Sequence, residues 1–181
     1  LTLCLSSVFL SADSSKVLTL KGKKGPGQGK TIVLVSGDEE YRTEESMPML
    51  AKILSQKHGF TCNVLFAWDK TEKYIDPNNQ AGVLGWDHLK DADLMLIGTR
   101  FRKPSEKDAQ FITDFLSAGK PIIGIRTSTH AFNGSGNFGE KISYSQFGPL
   151  VMGEGWVSHH GKHKGEGARG MIETKNAAHP I

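Results

Sequence analysis

Short apolar runs separated by polar, amphipathic stretches dominate the chain, and their periods predict the elements. Residues 31–36 read TIVLVS, an almost wholly apolar, β-branched run of the kind that forms a strand buried on both faces of a parallel sheet. The pattern recurs at 62–68 (CNVLFAW), 93–98 (DLMLIG) and 121–125 (PIIGI), each bounded by turn residues. Between the first two runs, 43–58 predicts a helix with Met47, Leu50, Ala51 and Leu54 on one face and Gly59 just past its end. A shorter helical turn is expected at 86–89. Residues 105–118 predict a second helix, opened by a Ser105-x-x-Asp108 cap, with Phe111, Ile112, Phe115 and Leu116 facing inward and Gly119 as the stop. Strand and helix alternate with connections long enough to cross over, so the expected fold is α/β, a flavodoxin-like doubly wound parallel sheet with right-handed crossovers.

With 181 residues the chain is sized for one domain, and its 38% hydrophobic content is enough for a core. No run approaches the roughly 18 to 20 consecutive apolar residues of a membrane-spanning helix. The net charge of +3 resides in the N-terminal segment, where Lys16, Lys21, Lys23, Lys24 and Lys30 face one acid, Asp13. The remainder is close to neutral, which disfavours a nucleic-acid-binding body. Residues 1–14 begin without Met and read as a truncated signal peptide, with small residues at Ser11 and Ala12 before a polar run; an N-terminal strand is the alternative. An exported protein, periplasmic or extracellular, is the expectation. Residues 15–30 are expected to be a Gly/Lys-rich linker, and residues 31–181 the domain. Gly25 to Lys30 resembles a phosphate loop in composition but precedes a strand instead of following one. Once a leader is removed Cys62 is the sole thiol, and its apolar neighbours mark it as a buried hydrophobe.

In open α/β sheets ligands bind beyond the carboxyl ends of the strands. After the first predicted strand come Asp38, Glu39, Glu40, Tyr41 and Arg42; after the third, Arg100 and Arg102; after the fourth, Arg126, Thr127 and His130. Guanidinium groups there suit a carboxylate, a phosphate or a polyhydroxylated ligand. The expected substrate-binding set is therefore Asp38, Tyr41, Arg42, Arg100, Arg102, Arg126 and Thr127. Five of the seven histidines lie from His130 onward, and His159, His160 and His163 could supply a divalent metal site such as zinc, although Gly161 and Gly165 oppose a helix there. Acid/base work, with His130 and His160 as catalytic groups, and plain surface placement are the alternatives. Trp68, Trp86 and Trp156 could stack on sugar rings or fill the core. Residues 134–139 match G-x-G-x-x-G, but no strand precedes them and no clear helix follows, so a loop is favoured over a dinucleotide site.

Taken together, SGDEEYRTEE, TRFR, PIIGIRTSTHAF, GEGWVSHHGKH and the final HPI resemble the ThuA-like, or trehalose-utilisation, family over about residues 28–181. The resemblance implies a class I glutamine amidotransferase-like fold, a role in sugar metabolism, and a native protein that continues past residue 181. In glutaminase relatives of that fold the fourth strand ends G-x-C-x-G with Cys as nucleophile. Here Gly124-Ile125-Arg126-Thr127-Ser128 places Arg126 in the Cys position, and arginine cannot be an acyl nucleophile. The expectation is a domain acting on a sugar or keto-sugar without glutaminase activity; the alternative is a non-catalytic carbohydrate-binding or scaffolding domain. The expected partner is a small carbohydrate or anionic ligand, with no nucleic acid and no transmembrane segment.

Overall fold

The structure, a computed structural model, describes residues 16–158, 161–162, 165–167 and 169–179. A five-stranded sheet has the spatial order β1 (Val17–Leu20), β3 (Thr61–Leu65), β2 (Thr31–Gly37), β4 (Leu94–Thr99), β5 (Ile122–Gly124). The last four are mutually parallel, whereas β1 runs antiparallel to β3 at the edge. This is the doubly wound, flavodoxin-like arrangement, with its switch point between β2 and β4.

Side chains alternate across the sheet, so each strand feeds two cores. Ile32, Leu34, Cys62, Val64 and Leu96 face α1 (Thr43–His58), meeting Met47 and Ala51. Val33, Val35, Met95 and Ile97 face the opposite layer, built from a 3₁₀ helix (Trp86–Asp91) and α2 (Glu106–Ser117). Leu34, Val35 and Ile97 have no exposed surface, and burial of such a side chain stabilises the fold by roughly 1.5–3 kcal/mol. An aromatic cluster of Phe132, Phe138, Tyr144 and Phe147 extends this second core, with Phe138 carried on the hairpin β6 (Asn137–Phe138) and β7 (Ile142–Ser143). The G-x-G-x-x-G segment thus leads into a hairpin, where Gly136 lies against the Tyr144 ring.

Helix α1 matches its expected bounds, and α2 starts after Ser105, whose hydroxyl accepts the Asp108 N–H at 3.2 Å. Three differences have local causes. The first concerns 15–30, expected to be a linker. Val17–Leu20 instead pair with β3, and Gly22, Gly25 and Gly27 press onto the end of α1, where the Gly27 N–H donates to the His58 carbonyl at 2.8 Å. The second is the strand expected at 62–68, which ends at Leu65, because Ala67 and Trp68 turn away to bridge Val83 and Ile75. The third is the strand expected at 121–125; it contracts to Ile122–Gly124, since the backbone turns sharply at Arg126. Among the described residues no helix is long and apolar enough to cross a membrane. Residues 1–14 lie outside the described residues.

Candidate functional site

In-register pairing brings the ends of β2, β4 and β5 level: Gly37 lies opposite Thr99 and Ile97 opposite Gly124. The loops leaving these strands gather at one end of the sheet, the expected position of a ligand crevice, and each contains a non-glycine residue in the left-handed region: Arg42 (φ 51°), Phe101 (φ 56°) and Arg126 (φ 51°). Such conformations cost an L-residue about 1 kcal/mol or more and collect at functional sites.

Asp38 is fully buried and fully engaged. Its Oδ1 accepts the N–H groups of Glu40 (2.8 Å) and Tyr41 (3.3 Å), and its Oδ2 accepts the Thr127 hydroxyl. Thr127 Oγ1 also lies 3.0 Å from the Thr99 carbonyl, so one small cluster ties three strand ends together. The Thr43 hydroxyl adds a fourth tie, accepting the N–H groups of Gly37 and Asp38, each at 3.1 Å. Asp38 and Thr127 therefore shape the floor of the crevice rather than its ligand-facing wall.

Arg102 is 1% exposed and has spent its donors: Nε on the Arg100 carbonyl (2.7 Å), Nη1 on those of Pro77 (2.8 Å) and Asn79 (3.3 Å), and Nη2 on Glu39 Oε2 (2.7 Å). Burial lowers the pKa of this guanidinium, and the charges of Glu39 and Asp38 counter that effect. Arg100 pairs with the other oxygen of Glu39 and approaches Glu40 at 3.6 Å. Arg42 turns outward and pairs with Glu45 in the first turn of α1. Of the arginines expected to hold ligand oxygens, Arg42, Arg100 and Arg102 are each engaged by acids of the same chain. Arg126 alone of the four is stacked without an acid, its guanidinium 3.8 Å from the centre of the Tyr41 ring.

His130 follows the 3₁₀ turn Arg126–His130 and is sandwiched between Phe101 (ring centroids 5.1 Å apart) and Trp156 (5.0 Å), with Thr129 Oγ1 3.3 Å from its Nδ1. Arg100 in turn lies over Phe101 at 4.7 Å. Of the three tryptophans, Trp86 is core, Trp68 donates to the Lys16 carbonyl at the β1 edge, and Trp156 reaches the crevice, 46% exposed. Sequence reasoning singled out neither Phe101 nor the double clamp of Glu39; an acid pair after one strand facing Arg-x-Arg after its neighbour is the signal that marks the latter. Cys62 lies near the amino end of β3, and burial pushes its thiol up to about 11, so it is no nucleophile at neutral pH. His159, His160 and His163 lie outside the described residues, and among the described residues no group of three or more His, Cys, Asp or Glu side chains could hold a metal ion. A cavity of about 580 Å³ lies not here but over the loop after β3, lined by Asp69, Tyr74, Asp76, Asn79, Gln80 and Lys103.

The fold is that of a flavodoxin-like α/β protein, with a stacked arginine and an aromatic-clamped histidine just beyond the carboxyl end of β5. No family model matches the chain, and neither does any curated protein or solved structure.

Proposed function

We propose that the crevice binds and processes a sugar or keto-sugar, with His130 as the acid/base group and Arg126 holding ligand oxygens, in an exported ThuA-like domain. The observation that carries this reading is the joint placement of Arg126 on Tyr41 and of His130 between Phe101 and Trp156. Aromatic rings offer the apolar face that a sugar's C–H groups need, while guanidinium and imidazole serve its oxygens. Glutamine hydrolysis is no part of the proposal, because the elbow position carries Arg126 and Cys62 lies at the far end of the sheet. The test is incubation of the full chain with neutral, oxidised and acidic sugars, with products resolved by chromatography. A general acid/base contributes about 10² to 10⁴-fold, so His130→Ala is expected to lose turnover by that factor while keeping its circular dichroism. Unchanged turnover refutes the role.

One observation favours a non-catalytic carbohydrate-binding domain instead: Asp38 and Glu39 are committed to internal bonds and cannot serve as a free base. That reading expects sugar affinity, lost on Arg126→Ala, with no product after long incubation.

A further inference from the structure

The charges at the three strand ends narrow the class of sugar. Glu39 engages Arg100 and Arg102 with its two carboxylate oxygens, and Asp38 is closed by Thr127 and backbone N–H groups. Arg126, in contrast, makes no hydrogen bond or ion pair with any described residue, and its guanidinium lies over the Tyr41 ring. A guanidinium over a ring face has that side covered and its N–H donors left for another partner. The left-handed backbone at Arg126 (φ 51°) fixes where the side chain leaves β5, an arrangement that costs energy and gives the core nothing, since the residue is exposed.

We propose that the ligand is a sugar bearing a carboxylate, which forks onto the guanidinium of Arg126 while its ring lies against the half-exposed Trp156; this rests on the sugar reading above. A carboxylate matches the guanidinium in both charge and two-point geometry. Of the three arginines Arg100, Arg102 and Arg126, the first two are paired with Glu39, and Arg126 is the one that no described acid engages. A phosphate dianion would bring a second negative charge, which the single guanidinium of Arg126 cannot match, close to Asp38, Glu39 and Glu40. A neutral sugar would leave the fork without its complement.

Calorimetric titration of the full chain with glucuronate, glucose, glucose 6-phosphate and propanoate tests the proposal. Charge-assisted hydrogen bonds predict that glucuronate binds about tenfold to a hundredfold more tightly than glucose. R126Q is expected to abolish that preference, and R126K, which keeps charge without the fork, to lose most of it. Y41L removes the stack without touching an ion pair and is expected to narrow the preference, with circular dichroism and urea midpoints confirming that all variants fold. Equal affinity for glucuronate and glucose overturns the carboxylate anchor and leaves the sugar reading standing; so does tighter binding of glucose 6-phosphate. A preference that survives in R126Q overturns the role of Arg126. Arg126-dependent binding of propanoate with no sugar bound keeps the anchor and overturns the sugar reading, and silence from all four ligands overturns both.

Discussion

At Asp69 a single carboxylate organises the loop after β3. Its Oδ2 accepts the Thr71 N–H (2.8 Å) and its Oδ1 those of Lys73 (2.6 Å) and Tyr74 (3.1 Å). Burial works against the charge, but the Thr71 hydroxyl and these backbone donors outweigh it and hold the carboxyl at about 2. Because the folded value lies below the unfolded one, the stabilisation is complete above about pH 4 and is lost as pH falls toward 2. Asp69→Asn is therefore expected to flatten the acid limb: its urea midpoint falls less than that of the parent across this window, and parallel limbs would contradict the assignment. Arg102 and Arg126 teach a related lesson. Both stand at strand ends in the sequence pattern, yet one is a buried strut and the other an open arm. What separates them is Glu39, 63 residues before Arg102, and no local pattern reports such a partner.

Among the elements, α1 shows how glycine placement settles a boundary. Gly59 ends the helix at φ 82°, donating to the Ser55 carbonyl at 3.2 Å, and a Cβ there would lie 2.7 Å from the Lys24 carbonyl carbon. Gly59→Ala thus combines left-handed strain with a backbone clash, and an equilibrium urea titration is expected to show a loss exceeding about 1 kcal/mol. The apolar periods made β2 to β5 and both α-helices legible, including α1 residue for residue. They could not reveal that residues 22–29 fold onto the end of α1, because close approach of glycine backbones leaves no hydrophobic period to read. Strand β1 was hidden for a similar reason: VLTL is too short, and half of it too exposed, to stand out.

For the molecule as a whole, β1 and the glycine segment close the amino-end side of a sheet whose carboxyl ends carry the crevice. Removing residues 1–29 would bare the β3 edge and uncover the end of α1. The expected outcome is a lower melting temperature and concentration-dependent association, read by thermal scanning and analytical ultracentrifugation. A free linker would allow the same truncation without effect. The doubly wound architecture of β2 to β5 was legible from strand–helix alternation. The sorting of crevice residues into floor, struts and open groups was not, since it depends on which acid each arginine meets across the strands.

The three left-handed residues at the crevice, Arg42, Phe101 and Arg126, set stability and activity against each other. Glycine at any of them would relieve the backbone, an advantage its freer unfolded chain offsets only in part. The relaxed loops would then wander over more orientations. Selection of this protein for heat resistance alone would therefore favour glycines that loosen the very loops leaving β2, β4 and β5.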